Sequence, residues 1–218
     1  IQALLARRNI VSVGIIVFAI LPMFANAYIV FVANLALMYI LLSVGLSMLL
    51  GYAGQLAFPN AALFGVGAYT SGLLRLEFDL PYWITLPAAA AFATLIGLAI
   101  ALPALRLRGL YLALATIAFA QAALWVFGHW NSVTYGGAGF RVPPMDFSPL
   151  PLDPPTGIYY LTLIIVLVAV PLGWNIVRSR IGRAWVALRE SEVAAETLGI
   201  DLTRYKAYAY VVSGLYAG

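Results

Sequence analysis

The chain has 218 residues, of which 64% are hydrophobic and 9% charged, and its mean hydropathy is +0.97. A soluble globular domain carries about 25% charged residues, so that class is excluded, and the net charge of +4 reads as a membrane charge bias rather than a nucleic-acid footprint. With no cysteine, disulfides, thiolate metal sites and cysteine catalysis are excluded together.

The N-terminal "IQALLARRNIV" sets two arginines before an apolar run, as a signal peptide does. No small-residue cleavage site with a soluble domain behind it follows, so a retained first helix is expected. Residues 9–74 contain no Asp, Glu, Lys or Arg, and further uncharged runs cover 80–105, 109–140 and 154–177. A helix needs roughly 20 apolar residues to cross a bilayer, whereas a barrel strand alternates polar and apolar positions. The expected fold is therefore all-α: a polytopic helical integral membrane protein, with residues 1–218 forming a single transmembrane domain.

Charge decides how the long first run is threaded. Three spans before Arg75 put Arg7, Arg8, Arg106, Arg108, Arg178, Arg180, Arg183, Arg189, Arg204 and Lys206 on the cytoplasmic side, leaving only Arg75 and Arg141 outside. Two spans give a much weaker bias, so three are expected, with the N-terminus cytoplasmic. The spans are placed at 9–26, 28–50, 56–74, 82–104, 109–127 and 158–177, with a seventh beginning near 207. An outer loop covers 128–157, rich in Gly and Pro, and a cytoplasmic loop covers 178–206. The chain lacks an initiator Met and stops inside "KAYAYVVSGLYAG", so further helices are expected past its C-terminal end.

Between the second and third spans lies "GLSMLLGYAGQLAFPNAALFGVGAYTSG". Ser43, Ser47 and Gly51 are spaced four apart, as are Ala57, Ala61 and Gly65, and such stripes let another helix approach closely. The turn from Gly51 to Gln55 either leaves the membrane or dips into it. Gln55 and Asn60, with Tyr69, Thr70, Thr116 and Gln121 further on, are read either as helix-packing and turn-satisfying groups or as the lining of a solute path. "GVGAYTSG" lacks the lysine and the strand-before-helix setting of a phosphate loop, so any ATP belongs to another subunit. His129, the only histidine, has no Cys, Asp or Glu near it in sequence and reads as interfacial. No paired acids and no His–Glu set lie at membrane depth, as an intramembrane enzyme would require. The absence of intramembrane charge also weighs against a proton-driven carrier, although a sodium site built from carbonyls would escape this test.

Ten of the chain's charged residues fall within 178–206. Ser191 is a good N-cap, Glu192 suits the first turn, and Gly199 suits the C′ position, so "SEVAAETLG" reads as a short self-contained helix. Glu192 and Glu196 would lie on one side, with Ala194, Ala195 and Leu198 forming a low surface. Upstream, Ile181, Trp185 and Leu188 share a face that lies along the membrane, near anionic lipid, or packs on the bundle. The stretch is either a solvated basic loop or a docking element for a partner's groove.

The segments "GLSMLLGYAGQLAFPNAALFGVGAYTSGLL", "LRLRGLYLALATIAFAQ" and "GRAWVALRESEVAAETLGIDLTRYKAYAYVVSG" together resemble the permease subunits of branched-chain amino-acid ABC importers, of the LivM type. The resemblance implies that "EVAAETLG" corresponds to the loop whose coupling helix seats in the ATPase subunit. Glu192, Ala194, Ala195 and Gly199 fit that pattern, with Glu190 and Glu196 beside them. Where the generic loop motif continues to Ile-x-Leu-Pro, this chain has Ala209-Tyr-Val-Val. The implied assembly has a second permease, two ATP-binding cassette subunits and an external solute-binding protein, in a bacterial or archaeal cytoplasmic membrane. This chain would be a transport subunit rather than an enzyme, binding no cofactor of its own, with ATP and Mg on the partner subunits and no nucleic acid involved. Hydrophobic amino acids are the implied solute class, and amides, urea or sugars are alternatives within the superfamily. An ion-coupled secondary transporter is the alternative outside it.

Overall fold

The computed structural model describes residue 14 and residues 18–105, 107, 109–143 and 153–218. Most of the expected first span therefore lies outside the described residues, as do Arg7, Arg8, Arg106, Arg108 and residues 144–152 of the expected outer loop; residues 18–24 are helical. The long helices that follow are α1 (Ala27–Leu46), α2 (Asn60–Phe78), α3 (Tyr82–Ala104) and α4 (Leu110–His129). After a short turn of helix α5 (Asn131–Thr134) come α6 (Pro154–Arg178), α7 (Arg180–Glu190), α8 (Glu192–Thr197) and α9 (Leu202–Ala217). All regular structure among the described residues is helical. Among the described residues, four stretches are long and apolar enough to cross a membrane: Ala27–Tyr52, Tyr82–Ala104, Leu110–His129 and Pro154–Arg178. Met23, Phe24, Tyr28, Trp83, Leu110 and Tyr111 are largely exposed, which suits a lipid-facing surface and not a wet one.

The described residues form two compact units. In the first, up to Ile40 together with residues up to Ala169, Val30, Leu37, Tyr159 and Leu163 are buried. There the hydroxyl of Tyr159 donates to the Phe18 carbonyl at 2.7 Å. The second unit, Leu41–Pro143 with Val170–Gly218, holds the core that includes Met48, Leu49, Ala57, Leu63, Ile100, Trp185, Leu188, Ala195 and Tyr210.

Helices in this second unit approach through small residues. A Cβ on Gly214 of α9 would stand 3.1 Å from the Ala93 carbonyl of α3, and one on Gly97 of α3 would stand 3.1 Å from the Tyr210 carbonyl of α9. With only lipid as the competitor for an apolar face, such close backbone approach supplies the packing energy. The two stripes read from the sequence do not make these contacts. Ser43, Ser47 and Gly51 are exposed, and a Cβ on Gly51 would meet nothing within 4 Å. The close contact on that helix is at Gly45, where a Cβ would lie 2.8 Å from Tyr216 Cβ and 3.3 Å from the Ser213 carbonyl. In the second stripe Ala57 is buried but precedes α2, Ala61 is exposed, and Gly65 receives the Phe127 ring.

The reason is a change of helical period. After Leu46 the chain continues as six residues of π-helix, Ser47–Tyr52, which rotates every later side chain away from a spacing of four. Gly54, at φ +67, then ends the helix: the Ala53 amide returns to the Met48 carbonyl at 3.0 Å and the Gln55 amide to the Leu49 carbonyl at 3.1 Å. The bond that closes over this left-handed glycine, from residue 55 to residue 49, is one residue wider than the six-to-one bond of a Schellman closure, in keeping with the wider π-helical turn before it. Residues 54–59 are not helical, so the third helix starts at Asn60, four residues later than expected, and runs to Phe78. Asp79, at φ 49, turns the chain into α3, whose bounds match the expected 82–104.

Candidate functional site

Two neighbouring regions of the second unit hold most of the candidate residues: the unwound stretch before α2, and the charged segment from α7 to the start of α9.

An unwound stretch inside an apolar bundle leaves backbone groups that must find partners. The Phe58 amide donates to Thr116 Oγ1 at 3.0 Å, while the Thr116 hydroxyl points back to the Leu112 and Ala113 carbonyls of its own helix. Asn60, at the first turn of α2, accepts from the Ser213 hydroxyl at 3.0 Å and donates to the Leu42 carbonyl at 3.5 Å. Gln55 is buried and donates to the Ala53 carbonyl at 3.4 Å. These groups bond protein partners, the arrangement expected for polar side chains at such depth.

The other candidates separate from this cluster. Thr70 bonds back to the Val66 carbonyl of its own helix at 2.7 Å, and Gln121 is exposed. Tyr69 stacks on Phe127 at 4.7 Å, with Phe140 edge-on at 5.9 Å. The Tyr135 hydroxyl donates to the Glu77 carboxylate at 2.7 Å, and that bond holds the phenol above its usual pKa. Thus the segment after α4 folds back on the C-terminal end of α2. His129 bonds the Trp125 carbonyl at 2.9 Å and stacks on its ring.

The charged segment is an ordered construction. Ser179 joins α6 to α7, its hydroxyl donating to the Ile176 carbonyl at 2.6 Å and accepting from the Ile181 amide at 3.1 Å. Gly182 packs so closely on the Val177 carbonyl that a Cβ would collide with it. Trp185 is fully buried and donates from Nε1 to the Tyr205 carbonyl at 2.8 Å, so α7 packs on the bundle through its Trp185–Leu188 face. Glu190 is exposed beside Arg189. Ser191 caps α8 by accepting from the Ala194 amide at 3.2 Å. Gly199, at φ +78, ends it, and the Ile200 amide returns to the Ala195 carbonyl at 3.1 Å.

The side chains of α8 divide differently from the expected surface. Ala195 is 1% exposed and belongs to the core, whereas Val193 is 71% and Leu198 77% exposed. Ala194, Glu196 and Gly199 are exposed with them. Glu192 turns inward, its Oε1 2.6 Å from Lys206 Nζ at the start of α9, with the lysine side chain only 5% exposed and the glutamate 26%. Sequence reasoning missed Lys206, although it is the chain's single lysine and stands at the head of an apolar run. It also missed Ser213 and Gly45, which no local pattern marks.

The profile of the family described as "Branched-chain amino acid transport system / permease component" matches residues 28–218. Among curated proteins, the high-affinity branched-chain amino acid transport system permease protein LivM of Escherichia coli K12 is 30% identical, over 97% of this chain and 56% of its own length. The LivM protein of Salmonella typhimurium LT2 is 30% identical, over 86% of this chain and 50% of its own length. The chain therefore spans about half the length of the curated relatives it matches. No solved structure matches it. By a profile that covers most of its length, this multi-pass helical membrane chain belongs to the family of branched-chain amino acid transport system permease components.

Proposed function

We propose that this chain is the membrane permease subunit of an ABC importer that carries branched-chain or other hydrophobic amino acids inward by alternating access. Branched-chain amino acid transport by the LivM relatives supports the solute class. ATP and Mg would be handled by two separate ATPase subunits, with a second permease beside this chain and a solute-binding protein docking outside. The chain would lie in the inner membrane with its N-terminus and residues 178–206 in the cytoplasm. It would cross about seven times within these residues, with Gln55 and Asn60 the first candidates for the path lining.

The observation that carries this reading is the construction of α8. It is capped at both ends and tied down on its inner face by Ala195 and by the Glu192–Lys206 pair, yet it offers Val193 and Leu198 outward. Two large apolar side chains on a braced, exposed helix suit a partner's groove, and a braced helix passes displacement to what it is fixed on.

The test is solute uptake by vesicles containing the full-length protein with its permease, ATPase and binding-protein partners. Leucine uptake is expected to require ATP, to stop with vanadate, to survive proton and sodium ionophores, and to be competed by isoleucine and valine but not by urea or a sugar. Uptake that persists without ATP and collapses with ionophores would overturn this reading in favour of an ion-coupled carrier.

A further inference from the structure

Arg189, in the last turn of α7, reaches across to the last turn of the π-helix and lies over the start of the unwound stretch that follows it. Its Nη1 donates to the Gly51 carbonyl at 2.7 Å, and Nη2 lies 3.1 Å from Glu190 Oε1. Gly51 lies at the C-terminal end of a helix, where carbonyls lack intrahelical partners and the dipole favours a cation. The stem of the same arginine lies against Gly54: a Cβ there would stand 2.7 Å from Arg189 Cγ and 3.1 Å from its Cα. Gly54 is thus required twice, for its positive φ and for the arginine that passes over it. The residues are 138 apart in sequence, so this contact is a tertiary one.

What hangs on each end gives the contact its meaning. On one side Arg189 and Glu190 lead through Ser191 directly into α8. On the other, residues 54–59 lead to Phe58, bound by Thr116 of α4, and to Asn60, bound by Ser213 of α9. Helix backbone resists displacement, whereas an unwound stretch with few internal bonds changes φ and ψ at small cost. A planar guanidinium that grips a carbonyl and a carboxylate at once is a directional link, which a lysine with one compact charge reproduces only in part.

We infer that Arg189 is a positioning residue that transmits movement of α7 and α8 to the unwound stretch 54–59, so that the stretch bends when the partner ATPase moves. This deepens the transport function proposed above and rests on it. Arg189 spends its guanidinium on the Gly51 carbonyl and on Glu190 within this chain, so losing it would separate ATP hydrolysis from transport without preventing assembly.

The experiment measures solute moved per ATP hydrolysed, in vesicles containing the full-length complex, for wild type, Arg189→Ala, Arg189→Lys, Gly54→Ala and the control Arg204→Ala, whose exposed side chain pairs with its neighbour Asp201. Arg189→Ala is expected to lower the ratio about tenfold while ATPase activity stays within about twofold, as befits one charge-assisted hydrogen bond. Arg189→Lys should recover part of the loss. Gly54→Ala should reproduce the loss with Arg189 present, and Arg204→Ala should behave as wild type. As a readout that does not depend on transport, hydrogen exchange at residues 53–57 should change with nucleotide in wild type and stop changing in Arg189→Ala. Unchanged ratios in both Arg189→Ala and Gly54→Ala would overturn the inference. So would a parallel fall in ATPase and uptake, which would mark Arg189 as a docking or folding residue. If the wild-type complex itself moves no solute with ATP, the transport function falls instead.

Discussion

The Glu192–Lys206 pair fastens α8 to α9 across a gap of 2.6 Å, and its two ends differ in solvent access: 5% for the lysine side chain and 26% for the glutamate. Removing one partner of a buried pair costs about 3–5 kcal/mol, because a charge is left without compensation. Glu192→Ala strands an ammonium that has almost no route to water, so the upper part of that range applies. Lys206→Met takes the lysine from a carboxylate that is already partly wetted and lies in the first turn of α8, where the dipole helps it, so roughly 1–3 kcal/mol is expected. Replacing both partners removes the stranded charge altogether and should leave only the lost dipole contribution, about 1 kcal/mol or less. Hydrogen exchange at the Ala195 and Ile200 amides, both bonded within this turn, reads the local opening equilibrium. At about 1.4 kcal/mol per factor of ten, exchange should quicken about a thousandfold or more in Glu192→Ala. Lys206→Met should give about tenfold to a hundredfold, and the double variant less than about tenfold. Equal effects of the two single changes would refute the asymmetry drawn from exposure. A double variant as open as the sum of the singles would refute the pairing itself.

Two further changes test the packing. Thr116→Val leaves the Phe58 amide without its acceptor and should cost about 1–3 kcal/mol, seen as a lower melting temperature in detergent, while Thr116→Ser should stay close to wild type. Gly45→Ala drives a methyl into Tyr216 and the Ser213 carbonyl and should cost about 1–3 kcal/mol by overpacking; Gly51→Ala, with open space around it, should leave the melting temperature of the isolated protein unchanged.

The helices were legible because long uncharged runs leave few alternatives in a membrane, and α3 falls where the runs place it. The start of α2 was not, because periodicity assumes 3.6 residues per turn and the π-helix Ser47–Tyr52 breaks that count. Within this chain the close helix contact falls at Gly45, and the stripe of Ser43, Ser47 and Gly51 stays exposed. Around α8 the caps at Ser191 and Gly199 could be read, since capping is decided within four or five residues. Which face of α8 is buried could not: Ala195 is covered through contacts set by α7 and α9, and Glu192 turns inward because Lys206 waits there. Arg189 and Gly51 meet over a separation of 138 residues, for which no local pattern speaks.

The central claim is that α8 seats in the partner ATPase and moves with it, and Leu198, 77% exposed, is the place to test it. These 218 residues hold no cysteine, so Leu198→Cys adds the one thiol within them and, with any cysteine elsewhere in the full-length protein replaced, can be paired with single cysteines along the groove of the co-expressed ATPase subunits. The account predicts a disulfide whose yield changes with nucleotide, and little crosslinking from a cysteine at the buried Ala195. A complex that co-purifies yet shows no crosslink from Val193, Ala194 or Leu198 would contradict it.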